Sequence, residues 1–238
     1  MIDQLLPPAV ASAEAFDDLP GQPLPPEEEA VVARATPRRR AEFTTGRSLA
    51  RRVLGELGCP SVAVASGECG VPVWPAEVVG SITHCDGYRA AVAARAAEVP
   101  VLGVDAEPAL PLPPGVLEMV ARREEQIQLA RLTEADPSIC WDRLLFCTKE
   151  AVYKAWFPVT QSWLGFEDTR LIIGRDGTFR ATILGAAPWL DTVGVAGFSG
   201  RWLVRDGLMI TAASDCRWTD RAVRAGCRSG NRRYDGGR

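Results

Sequence analysis

The sequence predicts an α+β protein, and hairpin signals together with two long helical segments are the observations that predict it. Asp-Gly pairs at 86–87, 176–177 and 206–207 each separate two apolar runs, which is typical of a tight β-hairpin. Apolar residues recur at helical spacing in 37–57 and again in 137–158. Because hairpins build antiparallel sheets, this mixture favours α+β over a doubly wound parallel sheet.

Length and charge limit the class of protein. The chain has 238 residues, enough for one large domain or two small ones, with 47% hydrophobic and 24% charged residues. Its net charge of −3 argues against a general nucleic-acid binder, which needs a basic surface. The apolar region 90–104 is interrupted by Arg95 and Glu98, so no membrane span is expected.

Cysteine usage and the chain ends favour a cytoplasmic protein. The seven cysteines are odd in number and form no CxxC pair, so neither a zinc site nor a disulfide framework is indicated. The first residues lack the basic start and long apolar segment of a signal peptide. Residues 215–238 carry seven Arg against three Asp with little apolar periodicity, which predicts a disordered tail, with a basic interaction arm as the alternative.

The first half begins with a Pro-rich segment at 1–26, which is expected to be irregular, and continues into a helix. Thr36 is a typical N-cap before a proline at the first helical position, and Gly58 suits the C-terminal cap. Basic side chains border the apolar face of this helix, and alone they indicate a solvated edge. The apolar face is formed by Phe43, Ala50, Val53, Leu54 and Leu57, and its basic border by Arg40, Arg47 and Arg51.

Strands follow this helix and return after a second one. In the first half, strands are predicted at 61–65, 80–83, 88–94 and 99–105. A Pro-rich loop at 108–114 and further helical segments come next, and Pro137-Ser138 then opens a helix that Pro158 is expected to close. The remaining strands are predicted at 166–174, 178–184, 201–205 and 208–213.

Two carboxylates end the strand at 99–105 and raise a chemical question. Side chains alternate along a strand, so Asp105 and Glu107 point to one side and Ala106 to the other. Two like charges held together repel, and a divalent cation relieves that repulsion. Ligands that are all oxygen favour magnesium or calcium over zinc. The simpler alternative is a pair of exposed acids at a strand end.

A third acid and a lysine lie on the helix that follows. Glu150 and Lys154 are four residues apart and share one helical face, as a surface ion pair also would. This helix carries aromatic residues throughout, so part of it must face the interior. Three carboxylates and one lysine together suit a phosphate bridged by Mg²⁺, because magnesium completes its coordination with substrate phosphate and water.

His84 is the only histidine of the chain and lies at a strand end beside a turn. A structural role and a role as a hydrolase base are both open. The sequence lacks a GxSxG elbow, a Walker A loop, a GxGxxG motif and an HExxH motif. Nucleotide binding, if present, therefore does not use those loops.

Four short motifs occur in a specific order along the chain. They are GVPVWP at 70–75, GSITHC at 80–85, LGVDAEP at 102–108 and FCTKEAVYKAWFP at 146–158. Each motif alone is modest, but their order and separation are specific. Together they resemble one family, the 4'-phosphopantetheinyl transferases of the Sfp/EntD type, and actinobacterial members most closely. The resemblance covers roughly residues 36–213 and extends to WLGFED at 163–168 and GRW at 200–202.

The resemblance implies a fold and an activity. Family members transfer the phosphopantetheine arm of coenzyme A to a serine of an acyl or peptidyl carrier protein and release adenosine 3',5'-bisphosphate. Their carriers belong to fatty-acid, polyketide or nonribosomal-peptide synthases, which include siderophore pathways. The implied fold is a monomer of two similar α/β halves, here 1–103 and 104–214, with the active site in the cleft between them and the tail 215–238 outside. No membrane or nucleic-acid partner is implied.

The resemblance also implies residue roles. Asp105, Glu107 and Glu150 match the ligands of Mg²⁺, with Mn²⁺ as an alternative, and Lys154 matches the lysine on the pyrophosphate. His84 matches a histidine on a coenzyme A phosphate. The 3'-phosphate end is expected on the arginine border, formed by Arg40, Arg47 and Arg51.

The proton of the carrier serine needs an acceptor, and Glu150 is the first candidate and Glu107 the second. Related sequences often have a lysine shortly before the GxPxWP motif, where this chain has Glu68 and Cys69. Two other functions stay open, a silent protein that binds coenzyme A or a carrier and a Mg²⁺-dependent pyrophosphatase. Docking of an acidic carrier on an acidic chain is expected to be local, through an apolar patch with a few arginines at its edge.

Overall fold

The protein folds around two antiparallel sheets, here in a computed structural model that describes residues 1–20, 23–60, 62–67, 70–185 and 197–215. The first sheet has the order β1-β3-β2 and the second the order β4-β8-β7-β6-β5. The strands of the two sheets are β1 (Ala11–Ala15), β2 (Val78–Cys85), β3 (Tyr88–Arg95), β4 (Leu102–Pro108), β5 (Thr169–Ile173), β6 (Thr178–Ile183), β7 (Phe198–Arg205) and β8 (Leu208–Asp215). The helices of the described residues are α1 (Pro26–Val32), α2 (Pro37–Glu56), α3 (Val116–Val120), α4 (Arg123–Ala135) and α5 (Trp141–Thr160).

The two sheets meet where the edge of β2 faces the edge of β4. Side-chain hydroxyls replace a backbone ladder here: Ser81 Oγ accepts from the Val104 N–H at 3.1 Å. Thr83 Oγ1 accepts from the Ala106 N–H, also at 3.1 Å. Buried backbone N–H groups need such partners, so the two hydroxyls let β4 lie at a sheet edge inside the protein.

Helix α2 packs on the first sheet and forms as its sequence predicts. The Thr36 side chain accepts from the Arg39 N–H, and Pro37 occupies the first helical turn. Its apolar face lies against β1 and β3 and includes Leu49, Ala50, Val53 and Leu54, all nearly inaccessible to solvent. The predicted strands at 80–83 and 88–94 are also confirmed, as parts of β2 and β3.

Helix α5 packs on β4 and β8, and a glycine sets how closely it approaches. A Cβ on Gly103 would lie 2.1 Å from the Ala151 carbonyl oxygen and 2.6 Å from the Ala155 nitrogen. No side chain fits in that space. Gly103 therefore lets the middle of α5, with Glu150 and Lys154, rest directly on β4 beside Asp105.

Two predictions for the first half of the chain were wrong. Residues 62–65 form no strand, because the Val64 N–H donates to the buried Glu28 carboxylate at 2.8 Å instead of to a neighbouring strand. The N-terminal segment is not irregular: it contains a 3₁₀ helix at Ile2–Leu5 and the edge strand β1. Strand β1 forms because its small side chains pair with β3, a contact that no local signal in the sequence reveals.

The limits of α5 also differ from the prediction. The helix begins at Trp141 rather than near Pro137, and it continues past Pro158 to Thr160. A proline in the last turn removes only one helical hydrogen bond, so it does not stop the helix there. Gln161 ends the helix in the left-handed conformation, with φ of 52°.

Asp215, the first residue of the tail predicted at 215–238, is instead the last residue of β8. The rest of that tail, 216–238, lies outside the described residues, as does the predicted departure at Glu68 and Cys69. In the described part of the chain, no helix combines the length and the apolar character needed to cross a bilayer. The described cysteines Cys59, Cys85, Cys140 and Cys147 are unbonded thiols.

A buried ion pair between Lys149 of α5 and Glu125 of α4 links α5 to the elements packed around it. Lys149 Nζ donates to Glu125 Oε2 at 2.7 Å and to the carbonyl oxygens of Val120, Phe166 and Thr169. The second oxygen of Glu125 accepts from the Leu171 N–H at 2.7 Å. Because every polar atom of the pair is occupied by these contacts, Lys149 is a structural residue.

We expect Lys149→Met to lower the free energy of unfolding by about 3–5 kcal/mol, because it leaves the Glu125 carboxylate buried and unpaired. Denaturant unfolding measures the change. The double variant Lys149→Met with Glu125→Leu should recover much of the loss, since it removes both charges. A double variant as unstable as the single one would contradict this account.

Candidate active site

Asp105 and Glu107 both face helix α5, as the alternation of β4 predicts. Asp105 accepts a hydrogen bond from Lys154 of this helix and Glu107 one from Arg143. Ala106 between them packs on the opposite side of β4, in an apolar cluster with Ile210. The end of β4 thus presents two acids to the helix that carries Glu150.

Asp105 is the centre of this group and is almost fully buried. Its Oδ1 accepts from Lys154 Nζ at 2.7 Å and from Thr83 Oγ1 at 3.1 Å. Its Oδ2 is equally buried and finds no hydrogen-bond partner among the described residues. Burial works against the charge on Lys154, but the Asp105 carboxylate outweighs it and raises the pKa of the ammonium. Lys154 is therefore a cation with one strong partner.

The carboxyl groups of Glu107 and Glu150 are half-buried and lie in the field of Asp105. Burial first, and then the charge of Asp105, raises the pKa of each of them. Across the described ranges, no three acidic, histidine or cysteine side chains stand close enough to hold a metal ion as they are. Asp105 is engaged by Lys154, and Glu107 by Arg143 at 2.9 Å.

The donor set nevertheless fits a divalent cation that prefers oxygen. Asp105 Oδ2 is a buried carboxylate oxygen without a partner in the described residues, which is costly unless something occupies it. The charges of Glu107 and Glu150 are each disfavoured by Asp105. A cation shared by the three carboxylates would offset both penalties.

A cavity of about 280 Å³ opens beside this group, between α2 and β2 on one side and α5 on the other. It joins acidic and basic side chains that are far apart in the sequence. Its ionisable lining residues are Arg39, Glu42, Arg47, His84, Glu150 and Lys154, and its other aromatic ones are Phe43, Tyr153 and Phe157.

Arg47 is a buried cation at the α2 side of the cavity. Its Nη2 donates to Ser66 Oγ at 2.8 Å, and its guanidinium lies 4.6 Å from the centre of the Phe43 ring. Its Nε is buried without a hydrogen-bond partner in the described part of the chain. Burial, ahead of the neighbouring charges, lowers the pKa of Arg47 to about 10. A buried guanidinium with a spare donor is suited to an anionic ligand.

Arg39 and His84 form the next part of the wall, with Arg39 Nη1 2.6 Å from His84 Nε2. Burial and then the charge of Arg39 lower the pKa of His84, so the ring is neutral at pH 7. Since a guanidinium only donates, we assign Nε2 as the acceptor and the ring proton to Nδ1, which lies 3.7 Å from Glu42.

The sequence prediction omitted Arg39, although a signal for it was present. Arg39, Phe43 and Arg47 recur at a spacing of four residues and therefore share one face of α2. Arg40 and Arg51, which were predicted to bind ligand, are not among the residues that line the cavity. Arg40 pairs with Glu29 at 2.6 Å.

Arg51 pairs with the fully buried Glu28, also at 2.6 Å. Glu28 in turn accepts from the Val64 N–H, so Arg51 supports the segment that carries Ser66, the partner of Arg47. The geometry gives Arg51 and Arg40 ion-pair partners within the protein, and their role in ligand binding stays a prediction.

Carboxylates, a lysine and arginines surround one cavity beside the joined sheets, and such a charged lining is suited to an anionic ligand. Comparison with known proteins specifies the family. The family model "4'-phosphopantetheinyl transferase N-terminal domain" matches residues 27–94, and the model "4'-phosphopantetheinyl transferase superfamily" matches residues 101–202. These ranges contain the motifs that carry the sequence resemblance.

Three curated relatives cover most of the chain. It is 47% identical to 4'-phosphopantetheinyl transferase Svp of Streptomyces mobaraensis over 89% of this chain and 88% of the relative. It is 42% identical to transferase Npt of Nocardia iowensis (89% and 98%) and 43% identical to transferase PptT of Mycobacterium tuberculosis (85% and 91%). The chain therefore belongs to the 4'-phosphopantetheinyl transferase superfamily, Sfp/EntD type, and is an enzyme of that kind, which confirms the resemblance.

Proposed function

We propose that this enzyme transfers the 4'-phosphopantetheine group of coenzyme A to a serine of an apo acyl or peptidyl carrier protein. Adenosine 3',5'-bisphosphate is the other product, and Mg²⁺ or Mn²⁺ is required. The observation that carries the proposal is the cavity in which Glu150 and Lys154 of α5 face Arg39 and Arg47 of α2. Membership of the family supports the reaction type.

The two ends of the cavity suit two parts of coenzyme A. Arg39 and Arg47 offer charged donors for the 3'-phosphate end, where charge-assisted hydrogen bonds to phosphate are strong, and His84 lies beside them as the partner of Arg39. Lys154 offers a point charge for the diphosphate. We add Arg39 to the arginines proposed for this phosphate, and the predicted ligand contacts of Arg40 and Arg51 stay predictions from the sequence.

Asp105, Glu107 and Glu150 would hold the metal, with Asp105 Oδ2 as the oxygen already available. When bound, Mg²⁺ would neutralise the diphosphate and stabilise the charge that develops on the leaving phosphate. Lys154 adds a fixed positive charge at the same diphosphate, and its bond to Asp105 keeps the ammonium in place.

The chemical step forms one bond and breaks one. The serine oxygen of the carrier bonds to the β-phosphorus, and the bond from that phosphorus to the oxygen bridging the two phosphates breaks. The bridging oxygen leaves with adenosine 3',5'-bisphosphate. Glu150 is the first candidate to accept the serine proton, because it is the carboxylate of the proposed metal site that lines the cavity. Glu107 is the second candidate, and its pairing with Arg143 makes it the weaker one.

The cavity lies between two units that we propose to be similar halves, 1–103 and 104–214. Each contains a 20-residue helix packed on an antiparallel sheet, α2 in the first and α5 in the second. Strand β4 begins at Leu102, so the proposed boundary between the halves, after residue 103, falls within the first residues of this strand. In this arrangement each half supplies one wall of the active site.

We expect Lys154→Ala to lower kcat by about 10²-fold, because it removes the charge at the reacting phosphate. Arg47→Ala should instead raise the KM for coenzyme A by about 10-fold with a smaller change in kcat, as binding at the remote end weakens. Steady-state kinetics of carrier modification measure both constants. The reverse pattern, a kcat defect for Arg47→Ala and a KM defect for Lys154→Ala, would overturn these assignments.

Metal binding should depend on pH. Glu107 and Glu150 have a raised pKa in the folded protein, compared with an ordinary value of 4.5. Between the ordinary and the raised pKa the folded state binds more protons than the unfolded state, so without metal these groups lower stability as the pH rises through that window. Mg²⁺ competes with those protons, so it should raise the Tm more at about pH 8 than at about pH 5. Thermal unfolding with an equal shift at both pH values would contradict the carboxylate site.

A single incubation tests the function itself. The purified enzyme is mixed with coenzyme A, Mg²⁺ and an apo carrier protein, and the intact mass of the carrier is measured. A gain equal to the phosphopantetheine group supports the proposal. Cleavage of coenzyme A without a carrier would indicate a pyrophosphatase, and no reaction with any carrier of a panel from fatty-acid, polyketide and nonribosomal-peptide synthases would indicate a binding protein.

A further inference from the structure

Arg143 lies in the first turn of α5 and donates to one acceptor on β4 and to two on the segment that follows β4. Its Nη1 donates to Glu107 Oε2 at 2.9 Å. Its Nε and Nη2 donate to the carbonyl oxygens of Leu110 and Pro111, each at 3.0 Å. The side chain is only 16% exposed, so these are not the contacts of a freely moving surface arginine.

The geometry restricts Glu107 more than a simple ion pair would. An exposed Arg–Glu pair contributes little to stability and leaves both side chains mobile. Here the planar guanidinium has its other two edges fixed on backbone carbonyls, so the position of the donor to Glu107 is fixed as well. Arg143 engages Oε2, and the second oxygen of the carboxylate stays available as a ligand.

The position of Arg143 on α5 is a second observation that links this arginine to the proposed metal site. Arg143 precedes Glu150 by seven residues, two helical turns, so both lie on one face of α5. That face also presents Lys154 to Asp105. One helix therefore supplies a predicted metal ligand, the lysine partner of the second ligand and the arginine partner of the third.

We propose that Arg143 is a positioning residue of this enzyme: it holds Glu107 in the orientation that binds the metal, from the helix that carries Glu150. The inference rests on the proposed metal site. Partners that orient a ligating carboxylate commonly contribute about 10- to 100-fold to metal affinity. The competing effect is repulsion between the guanidinium and the cation, which has the opposite sign.

The test is calorimetric titration of the full-length protein with Mg²⁺. We expect Arg143→Gln to weaken Mg²⁺ binding by about 10- to 100-fold. Binding of coenzyme A without Mg²⁺, measured on the same preparations, should be unchanged, because Arg143 does not line the cavity. If Arg143→Gln does not fold, Arg143→Lys serves instead: it keeps the charge but loses the planar fork, and intermediate weakening is expected.

Asp142→Ala provides the matched control. Asp142 Oδ2 accepts from the Leu112 N–H at 2.9 Å, so this variant loosens the same loop without touching Glu107. Its Mg²⁺ affinity should equal that of the wild type. Equal weakening in Asp142→Ala would assign the effect to the loop and overturn the proposal.

Unchanged or tighter Mg²⁺ binding in Arg143→Gln would overturn it as well, and tighter binding would identify repulsion as the larger effect. These failures are distinct from failure of the metal site. If the wild type binds Mg²⁺ and Asp105→Asn does not, the site stands whatever Arg143 does. If the wild type does not bind Mg²⁺ in the presence or absence of coenzyme A, the site and the role of Arg143 fall together.

Discussion

Replacing Glu150 with glutamine should reduce transfer to the carrier by about 10³-fold or more, the largest effect that we expect from a single conservative change. The substitution removes a metal ligand and the candidate base while it keeps the size of the side chain. Glu150 is half-buried at the cavity and its charge is already disfavoured, so the amide should leave the Tm unchanged or higher. Single-turnover measurement of carrier mass gain, with saturating coenzyme A, isolates the chemical step.

Glu134→Gln is the matched control, because Glu134 is an exposed residue of α4, outside the cavity. It should keep wild-type activity. A Glu150→Gln enzyme within about tenfold of the wild type would remove Glu150 from both roles. An enzyme that loses activity together with its cooperative thermal transition would instead reflect misfolding, which the Tm detects.

Gly103→Ala should give the second large effect, on stability and activity together. The new methyl group would lie 2.1 Å from the Ala151 carbonyl oxygen, and both of its nearest neighbours are backbone atoms, which cannot move aside alone. Helix α5 must then shift away from β4. We expect a loss of about 3 kcal/mol in the free energy of unfolding. Because displacement by about 1 Å at an active site can cost 10²-fold, kcat should fall by about that factor as Lys154 separates from Asp105.

Gly55→Ala is the control for the glycine substitution. A Cβ on Gly55 meets nothing within 4 Å, and the residue lies in α2 with an ordinary helical conformation. Alanine there should be neutral or stabilising by about 1 kcal/mol. Denaturant unfolding and kinetics on both variants distinguish the effect of the close contact at Gly103 from the effect of replacing a glycine where there is space. Equal stability of Gly103→Ala and the wild type would mean that the close contact between α5 and β4 does not form.

Local signals in the sequence predicted the elements that local physics decides. The cap at Thr36 and the apolar periodicity after it define α2, and the Asp-Gly pairs define the hairpins β2–β3, β5–β6 and β7–β8. The alternation of β4 predicted that Asp105 and Glu107 face the same way, and both contact α5.

The remaining features depend on contacts between distant segments, which periodicity does not encode. Strand β1 exists because it pairs with β3, and residues 62–65 are not a strand because Glu28 takes the Val64 N–H. The arginines of α2 illustrate the same limit. Their spacing revealed a basic border, but which of them reach the cavity depends on acids elsewhere, since Glu28 and Glu29 retain Arg51 and Arg40.

The cluster of three acids and Lys154 shows how much of a site a sequence motif alone predicts. The sequence predicted three acids and a lysine at one site, and the structure brings Lys154 into contact with Asp105. The sequence did not predict that Arg143 contacts Glu107, because arginines are frequent in this chain. Arg143 reaches Glu107 only because the 108–112 segment returns over the start of α5. That Asp105 Oδ2 has no hydrogen-bond partner in the described part of the chain is likewise a consequence of burial, which no residue pattern specifies.

The most direct test of the shared metal is electron–nuclear double resonance on the protein loaded with Mn²⁺ and coenzyme A. Bound together at the acidic end of β4, the ion and the diphosphate should give a strong ³¹P coupling on the manganese signal, and Asp105→Asn should abolish it. A spectrum without ³¹P coupling, or one that is identical in Asp105→Asn, would show that these carboxylates do not bring the cation to the phosphates.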